Sequence, residues 1–262
     1  AYDNGQFEES HGKTLVVRSL IGAGIPAAGV GCAFGRGTLE TMARRSEDLG
    51  PFSHETLTED YELGIKVASI GGRSTLLRAR GEDGELVATR AYFPSSLSHA
   101  VRQKARWLHG IAFQGWDRLG WNGGLGERWM RMRDRRGPLS AIVLFAGYIL
   151  LILVVLHILL NWLGYDIPWK STAVLNLILM ANLVSLAWRV VMRFAFTARE
   201  YGVIEGLWGV VRLPISNIIA MMAARRGIVS YIRALRGEPA KWDKTEHNDH
   251  PAAMVLRPGA VQ

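Results

Sequence analysis

Two short segments carry side chains whose types and spacing suit chemistry. The first is Thr58-Glu59-Asp60, inside the run from His54 to Gly64. Read plainly, acids at the start of a helix complement its positive end, with Thr58 as its cap. The second segment is Gln103-Lys104-Ala105-Arg106-Trp107. Residues three and four apart share a helix face, so Gln103, Arg106 and Trp107 point the same way. An amide, a guanidinium and an indole on one face suit a sugar-phosphate ligand: arginine forks onto phosphate oxygens, and the indole offers a flat platform to a sugar ring. The plainer alternative is an interfacial helix that uses Arg106 and Trp107 as membrane anchors.

The elements that must position these residues follow from local pattern. Thr14–Leu20 reads as a strand, and Thr38–Arg45 as a short helix. Ser74–Arg80 and Leu86–Tyr92 read as strands around the turn Gly81-Glu82-Asp83-Gly84. Ser96–Trp116 reads as a helix with Leu97, Val101, Leu108, Ile111 and Ala112 on its apolar positions.

Beyond them the character of the chain changes. Leu139–Gly164 runs 26 residues without Asp, Glu, Lys or Arg, and Ser171–Trp188 adds an uncharged run of 18. A bilayer needs about 20 apolar residues per helix, so a helical hairpin across a membrane is expected, with a pair of soluble core helices as the alternative. Arg128, Arg131, Arg133, Arg135 and Arg136 precede the first run; Arg189, Arg193 and Arg199 follow or close the second. This asymmetry predicts cytoplasmic flanks and an external link at Tyr165–Lys170, with Trp162, Trp169 and Trp188 at the interfaces. Val203–Ala224 carries Glu205, Arg212 and Pro214, with Arg225 and Arg226 behind it, and is expected to be interfacial or re-entrant on the cytoplasmic face. The tail from Gly237 has Pro239, Pro251 and Pro258 and reads as a loop.

Composition narrows the classes. At 49% hydrophobic and 21% charged over 262 residues, the chain is not a disordered tail. Its net charge of +8 suits anionic lipid or phosphorylated ligands, and the placement of the arginines beside apolar runs favours membrane over nucleic acid. A single cysteine, Cys32, excludes an internal disulfide. Gly22-Ala23-Gly24 mimics a dinucleotide fingerprint, but Pro26 and the glycines that follow do not open a helix. His247, Asp249 and His250 lack further clustered ligands and read as a solvated tail. His157 and Asn161, one turn apart in the first apolar run, read as a helix–helix contact. The start Ala1-Tyr2-Asp3-Asn4, without Met, reads as a boundary inside a larger protein.

Each chemical motif alone is weak; their order, about 40 residues apart and just ahead of a membrane hairpin, is specific. In that order they resemble the TED and QxxRW motifs of the processive, membrane-bound family 2 glycosyltransferases, which include cellulose, hyaluronan and poly-N-acetylglucosamine synthases. The glycine-rich Gly29–Arg36, followed by Leu39, is similar to the family's segment ahead of TED. Arg102–Trp121, with its QKxRW, GIAFQGW and LGW elements, and Lys241–His247 are similar to the phage-adsorption protein B branch in particular. Ala91 before Tyr92-Phe93-Pro94 departs from that branch, which often carries an acid there.

The resemblance implies an α/β fold: a partial GT-A domain over 1–110, interfacial helices over 111–137, a transmembrane hairpin over 138–200, and a cytoplasmic interfacial helix and tail over 201–262. It implies an inverting glycosyltransferase in the bacterial inner membrane, with its catalytic part cytoplasmic. The substrates would be a nucleotide-sugar donor and a glycan or lipid-linked acceptor. Asp60 would be the general base, supported by Glu59, and Thr58, Gln103, Arg106 and Trp107 would hold substrate. Trp242 and Thr245 would belong to a gating loop. The divalent cation (Mg or Mn) of such enzymes sits on a DxD motif expected upstream of residue 1, so this chain alone is expected to be inactive. Membrane lipids and an envelope export partner are further expected partners, and nucleic acid is not. The rival reading is a non-catalytic membrane scaffold or receptor component for export or phage adsorption.

Overall fold

The protein was analysed as a computed structural model that describes residues 7, 9–27, 31–46, 50, 52, 56–87, 94, 96–165, 167–168 and 172–238. It divides into two units. One comprises residues 13–138 with the described residues from 218 on, and the other comprises 139–217 with the described residues before 13.

The first unit is helical where α/β architecture was expected. A π-helical turn, Ser10–Thr14, leads into α1, Leu15–Leu20, in place of the expected strand. Among the described residues the only bridge pairing is Arg80 with Leu86. A lone extended segment leaves its N–H and C=O groups unpaired unless a neighbouring strand takes them. With no such strand described, Leu15–Leu20 satisfies its backbone internally as a helix. Around Gly81–Gly84 the hairpin turn forms, with Gly81 N–H donating to Glu85 O at 2.9 Å and Val87 N–H to Ala79 O at 2.9 Å. Gly84 takes φ +78°, which explains a glycine there. The rest of the second expected strand, 88–92, lies outside the described residues.

Helix α2 spans Arg36–Arg45 and α3 spans Glu59–Ser69. Met42 of α2 packs with Leu63 and Val67 of α3, and Phe34, Leu39 and Ile70 close around them. Helix α4, Leu97–Leu108, starts where its sequence predicts: the Ser96 hydroxyl accepts the His99 N–H at 3.3 Å. Its continuation is not plain α-helix. His109–Gln114 widens to a π-helical turn before α5, Gly115–Leu119, and α6, Leu125–Arg135.

In the second unit, α7 spans Gly137–Trp162 and α8 spans Ala173–Tyr201, both long and apolar enough to cross a membrane and both exposing the side chains of their apolar windows. Helix α8 runs past the uncharged stretch through Arg189, Arg193 and Arg199. Arg193 is buried there and lies 3.7 Å from Glu9. Gly202, at φ +86°, turns the chain so that α9, Val203–Val211, folds back on α8. A Cβ on Gly206 would lie 2.8 Å from the Ala198 Cβ, so the two helices meet through small residues. Helix α10, Leu213–Leu235, follows at a bend of 47°; if α9 and α10 form one broken span, the membrane-crossing candidates number three among the described residues.

Candidate active site

Helix α3 opens with Glu59, Asp60 and Glu62 in its first turn, where acids complement the helix dipole. Thr58 occupies the cap position but its side chain does not cap. Its hydroxyl is buried and has no hydrogen-bond partner, so the capping role read from sequence does not hold. The first turn is secured differently. Asp60 Oδ1 accepts the Tyr61 N–H at 2.8 Å, and Thr58 O accepts the Glu62 N–H at 3.1 Å.

Thr58 turns inward because it packs on the π-helical turn at Gly110. A Cβ on Gly110 would lie 2.7 Å from Thr58 Cγ2 and 3.0 Å from its Cβ, closer than any side chain there tolerates. Gly110 is therefore the residue that admits Thr58. Beside it, Gln114 Oε1 accepts the Leu57 N–H at 2.9 Å. Both contacts come from the π-helical turn. Its Gly115 N–H donates to Gly110 O, five residues back, and this wider spacing sets which side chains face Thr56–Thr58. Gln103 lies seven residues before Gly110 and shares that side of the helix. It is buried, and its Oε1 has no partner. Arg106 and Trp107 are half-buried on the same helix. Leu57 and Thr58 are thus joined to the π-helical turn that follows the second motif, and the Glu59 and Asp60 carboxylates are half-buried. Trp242 and Thr245 lie outside the described residues.

A network of charged groups ties α3 to its neighbours. The Tyr61 hydroxyl donates to Asp134 Oδ2 at 2.8 Å, and Arg18 Nη1 reaches both Asp134 oxygens at 2.9 and 2.8 Å. Arg18 Nε donates to Gly24 O at 2.7 Å. Gly24 N–H donates to Glu127 Oε2 at 2.7 Å, and Glu127 Oε1 accepts from Arg131 at 2.9 Å. Burial pushes the Tyr61 hydroxyl well above its ordinary range, and Asp134 adds to the shift. Burial likewise holds the Asp134 carboxyl above its ordinary range, with Arg18 opposing. Burial would also raise Glu62, but Arg118 at 3.0 Å and Lys66 at 2.6 Å outweigh it and bring its carboxyl below the usual range.

The far side of α4 is covered by the second half of α10. A Cβ on Gly227 would meet Leu108 Cδ2 at 2.9 Å, and Tyr231 stacks on Phe113 at 4.4 Å with its hydroxyl on Asp117. His109 is buried beneath them, its Nδ1 3.0 Å from Ser230 Oγ, and burial lowers its pKa against the opposing pull of Asp117.

A divalent cation does not fit the described side chains. No three His, Cys, Asp or Glu come together to hold one among the described residues. Glu62, Glu127 and Asp134 are each engaged by a cation of the protein.

Sequence reasoning missed Gly110, Gln114, Tyr61, Asp134 and Arg18. The GIAFQGW element, residues 110–116, was singled out by resemblance, but no role followed from it.

The chain belongs to glycosyl transferase family group 2, whose model matches residues 2–192. It is 31% identical over 271 residues to bacteriophage adsorption protein B of Escherichia coli strain K12, covering 93% of this chain and 35% of that protein. Bacteriophage N4 adsorption protein B of Escherichia coli O157:H7 matches with the same identity and coverage. The chain thus spans about a third of the length of the curated relatives it matches. No solved structure matches it.

Proposed function

We propose that this chain is the acceptor-side part of an inverting membrane glycosyltransferase that moves a sugar from a nucleotide-sugar donor to a glycan or lipid-linked acceptor. The observation that carries the reading is the seating of Thr58 on Gly110, which joins the start of the acid-bearing helix to the π-helical continuation of the helix of Gln103, Arg106 and Trp107. In this reading the Asp60 carboxylate takes the proton of the acceptor hydroxyl. The acceptor oxygen attacks the anomeric carbon from the side opposite the diphosphate. The bond from that carbon to the diphosphate breaks, and the nucleoside diphosphate leaves with the electron pair. Glu59 supports the helix start. Arg106 pairs with phosphate oxygens, Trp107 carries a sugar ring, and Gln103 and Thr58 supply polar contacts. Trp242 and Thr245 are proposed as gating residues. The Mg or Mn ion typical of such enzymes would take its ligands mostly from outside this chain.

The proposed setting is the bacterial inner membrane, with Arg128–Arg136 and Arg189–Arg199 on the cytoplasmic side against anionic lipid. The packing of Gly227 and Tyr231 on α4 and the π-helical turn supports an interfacial rather than spanning role for the end of α10.

A second reading comes from the relatives, which are phage adsorption proteins by name: a non-catalytic scaffold or receptor component for export or phage adsorption. Purified full-length protein in lipid nanodiscs, offered a panel of nucleotide sugars with Mg or Mn, separates the two. The enzyme reading expects incorporation of one sugar; no incorporation with any donor supports the scaffold.

A further inference from the structure

Asp60 is held by two attachments that the proposed chemistry does not itself use. Its carbonyl accepts the Ala27 N–H at 3.1 Å. The residue after it, Tyr61, is buried and ends on Asp134 of α6 at 2.8 Å. Both attachments lead to the same helix. The loop holding Ala27 also holds Gly24, whose N–H is taken by Glu127 of α6 and whose carbonyl is taken by Arg18, the partner of Asp134. The loop cannot drift from α3, because a Cβ on Gly64 would already lie 2.6 Å from the Ala27 N. Asp134 and Glu127 are seven residues apart, two turns on one face of α6, so the loop and Tyr61 are gripped by a single helix face. Helix α6 ends at Arg135, and the first membrane-length helix begins at Gly137.

The geometry points to Tyr61 and Asp134 as positioning residues of the transfer reaction: the Tyr61–Asp134–Arg18 bond chain fixes the placement of the Asp60 carboxylate against α6, the helix that leads into the membrane. The inference rests on the proposed function and adds to it the device that orients its base. Nothing in the chain Tyr61–Asp134–Arg18 needs to touch substrate. A phenol bonded to a carboxylate that is itself held at two oxygens by arginine is a rigid strut, because each member has one fixed partner geometry. Small displacements of a general base are costly in rate, on the order of 100-fold for about 1 Å.

The test is a double-mutant cycle in the full-length protein in nanodiscs, measuring kcat and donor KM per folded enzyme. Tyr61→Phe removes one hydroxyl and leaves Arg18 on Asp134. It is expected to lower kcat by about 10- to 100-fold while leaving donor KM within about twofold, since donor contacts lie on α4. In an Asp60→Asn background the same substitution is expected to have no further effect, because a residue acting only through Asp60 has nothing left to position. Equal losses in both backgrounds, or unchanged kcat in Tyr61→Phe beside a disabled Asp60→Asn, overturn the inference and leave the functional reading standing. Absence of transfer by the wild type overturns both. If Tyr61→Phe does not fold, Asp134→Asn takes its place in the cycle with the same expectations; failure of both to fold means a purely structural clamp and also overturns the inference.

Discussion

Substituting Gly110 probes the packing that joins the two motifs. In Gly110→Ala the new methyl would stand 2.7 Å from Thr58 Cγ2 and closer still to its Oγ1, against the 3.4 Å at which ordinary contact begins, so more than about 0.7 Å must be found. Thr58 cannot yield by rotating: it is buried, β-branched, and its Cβ is itself only 3.0 Å from the methyl. The segment carrying Thr58, Glu59 and Asp60 must therefore move away from the π-helical turn. Overpacking of this kind costs about 1–3 kcal/mol. Replacing a helical glycine by alanine returns about 1 kcal/mol through propensity. The net loss of stability is then only about 0–2 kcal/mol, a shift that melting resolves poorly. Activity is the sharper readout, because a displacement approaching 1 Å at the base costs on the order of 100-fold in rate. Sugar incorporation per folded full-length protein should fall by about 10- to 100-fold in Gly110→Ala. It should recover in part in Gly110→Ala/Thr58→Ala, where Cγ2 and the hydroxyl are gone. Gly37→Ala, with nothing within 4 Å of its Cβ, should change neither property for the worse. Wild-type turnover in Gly110→Ala would refute the contact as the link between the motifs.

Two further outcomes are expected. Because burial lowers the His109 pKa, the neutral ring contributes stability that is fully present above about pH 6.5, the unfolded value, and is lost as pH falls through and below it. The melting temperature should therefore drop on acidification across that window and the drop should flatten in His109→Gln; an unchanged slope would show that the ring is not the titrating group. For topology, a variant lacking the exposed Cys32 should react with an impermeant thiol reagent from outside at Asp166→Cys and not at Thr245→Cys, and the reverse pattern would invert the proposed orientation.

The membrane-length helices were legible because they depend on one property, an uninterrupted apolar length, and α7 departs from the expected Leu139–Gly164 by two residues at each end. Helix α8 ran on to Tyr201 because a helix ends where its backbone bonding ends, at Gly202 with φ +86°, not where its apolar run does. Helix α4 was legible from its apolar spacing, and it begins beside Ser96, whose hydroxyl accepts the His99 N–H. Thr14–Leu20 was misread because a short apolar run with two valines has no period of its own, and its state is set by whether a strand lies beside it. The candidate site was half legible. Residue types and spacing put Gln103, Arg106 and Trp107 on one helix face, and Asp60 was singled out by the family resemblance. The π-helical turn that sets Gly110 and Gln114 against Leu57 and Thr58 was not legible, because a one-residue change of helical spacing leaves no mark in an amphipathic pattern. The Tyr61–Asp134–Arg18 chain links residues more than a hundred positions apart and exists only once α1, α3 and α6 are packed.

The central claim is that Asp60 is the base of a sugar transfer. It is tested most directly by comparing sugar incorporation by the full-length wild type and Asp60→Asn in nanodiscs, per folded enzyme and with donor affinity measured alongside. Asparagine keeps the size of the side chain but takes no proton. A loss of about 10²–10⁴ in rate with donor affinity retained is expected, and near-wild-type turnover in Asp60→Asn would show that Asp60 is not the base.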